Sequence, residues 1–121
     1  MAKTQKQEER TLPGCMTMIR PVTDALDALS GKWKLPIIIS VSLGPKRFTQ
    51  VSNDIPGITD RMLSKELKEL EMNQLIRRTV YDAFPPVVEY SITPHGRSLE
   101  KVIGALVSWG QLHRRKILGG K

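Results

Sequence analysis

The sequence predicts a mainly α-helical fold with a small β-hairpin: a winged helix-turn-helix with an added terminal dimerisation helix. Three observations carry this. Apolar residues recur at helical spacing in short segments before residue 74. The period then changes to two in IRRTVY and VVEYSI, which flank a Pro-rich loop. Helical spacing returns after Thr93-Pro94.

Taken in order, residues 1–19 form an expected flexible arm, 20–118 the folded domain and 119–121 a tail. Val22, Ala25, Leu26 and Leu29 give a short amphipathic first helix, punctuated by Ser30-Gly31. In Lys32 to Leu43 the apolar residues cover most of the circumference, so this second helix should be buried on several sides. Pro36 lacks an N–H, and the helix is expected to kink or begin in earnest near it. Gly44-Pro45 breaks it. Thr49 is the expected N-cap of a third helix with Val51 and Ile55 inward, closed by a tight turn at Pro56-Gly57. The fourth helix runs from Thr59, its N-cap, to about Asn73, with Asp60 suited to the positive end of the dipole. Strands follow at Ile76 to Tyr81 and Val87 to Ile92, joined by Asp82 to Pro86 as an antiparallel hairpin. Thr93 caps a last helix with Pro94 in its first position, continuing to Ile117.

The 121 residues suit one domain. Lys plus Arg number 19 against 12 Asp plus Glu, a formal charge of +7. Such a charge points to a polyanionic partner, nucleic acid or an anionic membrane surface, or simply to a solvated surface. One cysteine excludes an intramolecular disulfide. Cys15, His95 and His113 lie far apart and show no zinc-ligand spacing, so no metal and no cofactor are expected. The most apolar stretch, Leu35 to Leu43, is too short to span a bilayer. The charged first residues precede no signal segment, so a cytoplasmic protein is expected. GxSxG, phosphate-cradling and HExxH motifs are absent, and an enzyme is not expected.

At ~100° per residue, Leu63, Leu67 and Leu70 share one stripe of the fourth helix. Arg61, Lys65 and Lys68 fall opposite, with Ser64 at their edge, while Asp60, Glu66, Glu69 and Glu71 lie on the flanks. An outward face of this kind suits the major groove, where Arg reads guanine and Ser bonds bases or phosphates. The alternative is a solvated face laced by pairs such as Lys65 with Glu69. Position decides between them: the helix follows a tight turn and precedes a ribbon that opens with Arg77-Arg78, and Lys46-Arg47 stands before the third helix. With Thr49 and Thr59, these residues suit one phosphate-facing surface.

LDALSGKW (26–33), GPKRFTQV (44–51), IPGITDRMLSKELKELE (55–71) and PPVVEYSITPHG (85–96) together resemble HxlR-type transcriptional regulators, relatives of the MarR regulators. The matching blocks cover roughly Arg20 to Trp109. The resemblance implies a homodimer that binds double-stranded DNA, with the fourth helix in the major groove, the hairpin as wing and terminal helices as dimer contacts. Many members carry a cysteine where this chain has Arg20, and some sense oxidants with it. Here the thiol is Cys15, five residues earlier, a candidate redox residue only. Family wings often place a basic residue after Pro-Pro, where this chain has Val87. Arg77 and Arg78 are then the better phosphate candidates.

On the last helix, Leu99, Val102, Leu106, Trp109 and His113 keep one apolar face, with Ile103, Gly110 and Ile117 alongside. The first two turns should pack on their own domain. Beyond Ile103 a second copy is the expected cover, with Leu26 joining it. Arg114 to Lys116 suit the dipole's negative end. The expected function is sequence-specific regulation at a palindromic operator, with a small-molecule or redox effector open. The rival is a winged-helix module that docks an acidic protein.

Overall fold

A computed structural model describes residues 15–119. The chain divides into two units, Met1–Gly31 and Lys32–Lys121. In the first, the described part is helix α1, Cys15–Leu29. Residues 15–19, expected in the arm, are therefore helical, and the rest of the arm lies outside the described residues. Pro21 supplies no N–H to the ladder, yet helix extends on both sides of it. Thr23 donates its hydroxyl to the Ile19 carbonyl at 2.8 Å. Met16, Ile19, Val22 and Leu26 are all exposed.

The second unit holds α2 (Lys34–Ser42), α3 (Phe48–Asp54), α4 (Asp60–Met72), β1 (Ile76–Tyr81), β2 (Val87–Ile92), α5 (Pro94–Arg97) and α6 (Glu100–Ile117). Helix α2 starts two residues later than expected, with Trp33 as N-cap. That puts Pro36 in the first turn, where its missing N–H has no intrahelical partner to lose. The core joins Ile37, Ile38 and Val41 of α2 to Val51 of α3, Ile55 and Ile58 of the turn, Leu63, Leu67 and Leu70 of α4, and Leu75 and Ile76. Each such side chain contributes roughly 1.5–3 kcal/mol on burial.

Two expectations at helix ends need correction. Arg47, not Thr49, is the N-cap of α3: Gln50 Oε1 accepts the Arg47 backbone N–H at 2.8 Å, and Thr49 lies inside the helix. A side-chain acceptor at the third helical position thus replaces a capping hydroxyl. The last helix is also not continuous. Ser98 Oγ donates to the His95 carbonyl at 2.5 Å, and the Leu99 N–H bonds the Gly96 carbonyl at 3.1 Å. A serine hydroxyl competing for a helical carbonyl, with an i−3 bond beside it, separates α5 from α6.

Elsewhere caps and strands fall as expected. Thr59 Oγ1 accepts from the Met62 N–H at 3.1 Å. Helix α4 ends in a Schellman turn: the Leu75 N–H reaches the Leu70 carbonyl, the Gln74 N–H that of Glu71, and Gln74 takes φ 60°. The strands pair antiparallel from Ile76↔Ile92 to Tyr81↔Val87. Lys46 adds a bridge that the sequence reading did not foresee, exchanging backbone hydrogen bonds with Tyr90 at 2.9 and 2.7 Å.

Thr93 stitches the hairpin's exit to the end of α4. Its hydroxyl donates to the Gln74 carbonyl at 2.7 Å and accepts the Gly96 N–H at 2.9 Å, while its own N–H reaches Leu75 O at 3.1 Å. Gly96 is pressed into this joint. A Cβ there would stand 2.2 Å from Leu75 O and 2.7 Å from Ile92 Cγ1. Gly96→Ala should therefore cost about 2–3 kcal/mol in urea unfolding, as overpacking against backbone does; a midpoint equal to the parent's would contradict the close approach.

Candidate nucleic-acid interface

The inward stripe of α4 is fully formed: Leu63, Leu67 and Leu70 are buried. On the other side Arg61, Ser64, Lys65 and Lys68 are exposed and line one shallow concavity with Glu69 and Met72. The amphipathic split read from the sequence is thus present in three dimensions. Among the described residues Arg61 and Lys68 carry no ion pair, so both cations are open to a ligand.

The acids of α4 behave less uniformly than their flanking positions suggest. Glu66 is buried, and its carboxylate takes a hydrogen bond from Lys34 Nζ at 2.5 Å. Lys34, only 4% exposed at the start of α2, also donates to Glu69 Oε1 at 2.6 Å. Burial works to lower the Lys34 pKa, but the hydrogen bonds and charges of Glu66 and Glu69 outweigh it and hold the amine above its usual 10.5. Glu69 is held below its usual 4.5, first by the Lys34 hydrogen bond. Its other oxygen faces Lys65 at 3.4 Å, the i,i+4 pair foreseen from the sequence. The sequence reading missed Lys34 and Glu66. A lysine heading an apolar helix was the one local sign, and its partners lie more than thirty residues away.

Around α4, Arg47 and Thr49 at the start of α3 are exposed, as is Thr59. Lys46 is not free: its amine pairs with Asp54, whose carboxylate also accepts from Ser40 Oγ at 2.8 Å. Arg77 and Arg78 are both exposed, but neighbours on a strand point to opposite faces. The register sets Arg77 beside Ser91 and Arg78 beside Tyr90, so each ribbon face carries one arginine. In the loop between the strands Phe84 is fully exposed.

No residue of α6 is buried. Leu99 and Ile103 are half-buried, and every residue after Ile103 in this helix is exposed. Val102, Leu106 and Trp109 are exposed, Trp109 by 60%. Trp109 stacks on His113 with ring centroids 4.8 Å apart and planes within 8°. Cys15 is exposed at the start of α1, and Leu26 is exposed on the same helix. Among the described residues no His, Cys, Asp and Glu cluster could hold a metal, and no helix is long and apolar enough to cross a membrane.

The model of the HxlR-like helix-turn-helix family matches residues 28–117, which contain every element from α2 to α6. The chain belongs to this family. Among curated relatives, the uncharacterized HTH-type transcriptional regulator YtcD of Bacillus subtilis (strain 168) is 39% identical over 98 residues, covering 81% of this chain and 78% of YtcD. Among solved structures, the redox regulator HypR in its reduced form aligns with a TM-score of 0.76 at 40% identity, covering 80% of this chain and 96% of HypR. A MarR-family regulator from Enterococcus faecalis V583 aligns at 0.74 and 33%, covering 84% and 92%. The chain is thus a winged-helix transcription regulator of the HxlR-like, MarR-related kind, and these relatives are regulators rather than enzymes.

Within this frame the Lys34–Glu66 pair ties α4 to α2. Removing one partner of a buried pair strands the other charge and typically costs about 3–5 kcal/mol. Lys34→Met should fall in that range by urea denaturation, and adding Glu66→Leu should recover most of the loss. A double variant as unstable as the single one would refute the pairing's role.

Proposed function

We propose that this HxlR-like protein is a cytoplasmic homodimer that binds a palindromic DNA operator through α4, with the hairpin as a basic wing. The observation that carries the reading is the open cationic face of α4, Arg61, Ser64, Lys65 and Lys68, set opposite its buried leucines. Arg61, in the first turn, reads a base edge; Lys68 meets phosphate. Arg47, Thr49 and Thr59 add contacts to the DNA backbone, and the wing adds one through whichever of Arg77 and Arg78 lies on the ribbon face turned to the duplex. Any thiol-based input would run through Cys15, the chain's one cysteine.

Fluorescence anisotropy on duplexes selected from a random library tests this. With about 8 phosphates neutralised per dimer, log K should fall with log salt at a slope near −7. Arg61→Ala should cost about 1–3 kcal/mol and relax base preference, whereas Lys68→Ala should weaken all duplexes alike. Flat binding across salt would favour the rival, a module that docks an acidic protein.

The dimer in this proposal is covered by α6 and α1, which expose Val102, Leu106, Trp109 and Leu26. Two reading helices would then stand roughly 34–36 Å apart, or a multiple of that. Leu106→Glu should turn a dimer into a monomer in sedimentation velocity while leaving helical circular dichroism intact. A parent protein that sediments as a monomer would end the two-fold reading.

A further inference from the structure

We infer that Glu69 is a brake on binding to the DNA backbone: held in place by buried Lys34, it competes with DNA phosphate for Lys65 and so weakens sequence-independent affinity. This rests on the DNA-binding reading above. Between Thr59 and Asn73 three cations, Arg61, Lys65 and Lys68, face four acids, Asp60, Glu66, Glu69 and Glu71. The acids are not equivalent. Glu66 is turned inward to Lys34. Among the described residues Glu71 has no cation within ion-pair distance. Glu69 alone is shared, with Oε1 on Lys34 at 2.6 Å and Oε2 toward Lys65 at 3.4 Å. It also lines the concavity that carries Arg61, Ser64 and Lys68.

The sharing has a physical consequence. Lys34 is almost wholly buried, so it fixes the Glu69 carboxylate to the body of the domain. Lys65 is two-thirds exposed and free to swing. Were Lys65 to turn to a phosphate, the carboxylate could not follow. That would leave a carboxylate uncompensated beside the DNA backbone, so Lys65 stays on Glu69. Lys65 so held neutralises no phosphate, and the release of about 0.9 of a counterion is forgone. Nonspecific affinity comes almost wholly from such release, so it is reduced. The same contact is forgone on every duplex, so affinity falls without regard to sequence.

The test measures anisotropy of the full chain on a mixed-sequence 24-base-pair duplex across a salt series. Glu69→Gln should raise nonspecific affinity about three- to tenfold and steepen the log–log slope by about 0.9 per bound protomer. Glu71→Gln, which removes the same charge one turn-flank away, should leave the slope unchanged. In a Lys65→Gln background, Glu69→Gln should no longer steepen it. A second pair needs no change at Glu69: Lys65→Gln should barely alter the slope, whereas Lys68→Gln should flatten it by about 0.9. Equal effects of Glu69→Gln and Glu71→Gln, or equal flattening by Lys65→Gln and Lys68→Gln, would overturn the brake. A parent protein without salt-dependent DNA binding would instead overturn the function proposed above.

Discussion

The packing of Leu63, Leu67 and Leu70 against α2 is the constraint on which the rest depends. A helix has one angular setting once its apolar stripe is seated. Burying those three side chains therefore decides which residues face water. Arg61, Lys65 and Lys68 are outside because the leucines are inside. The same seating brings Glu66 and Glu69 to Lys34, so the rotation of α4 is set twice, once by apolar burial and once by charge. The apolar contacts provide most of the stabilisation. The ion pairs are directional, and a rotated α4 would leave a lysine unpaired in the core.

Much of this was legible in the residues themselves. The hairpin strands match their expected bounds because β-branched residues alternate cleanly and Pro85-Pro86 interrupts them. Thr59 and Thr93 announced their helices because a hydroxyl before a helical run has few competing uses. The cationic face of α4 followed from angular arithmetic alone. What escaped was non-local. Lys34 and Glu66 meet across two helices, and the Lys46–Tyr90 bridge joins a loop to a strand. Periodicity carries no information about such pairs. The Arg47 cap was missed because Gln50, rather than the residue before the helix, supplies the acceptor. The break at Ser98 was missed because serine is tolerated within helices, and only its bond to His95 shows the competition.

The terminal helices present a different balance. In α6 the apolar residues keep helical spacing but lack cover from their own domain. Trp109 and His113 stack on one another without burying either ring. The first residues of the family match fall at the end of α1, so that helix lies almost wholly before the shared core of HxlR-like proteins. Exposed apolar surface thus lies both before the family match, on α1, and inside it, on α6.

The interruption between Arg97 and Glu100 has a mechanical meaning. Helix α6 has 18 residues, a rod about 27 Å long at 1.5 Å per residue. It is joined to the winged body by two residues, Ser98 and Leu99, instead of a continuous hydrogen-bonded cylinder. A tilt of 10° at that joint displaces the rod's far end by about 5 Å. The angle of departure is governed by a serine hydroxyl and the backbone bonds of Ser98 and Leu99 to Pro94, His95 and Gly96, so a very local change of geometry is magnified into a large displacement at the carboxyl end.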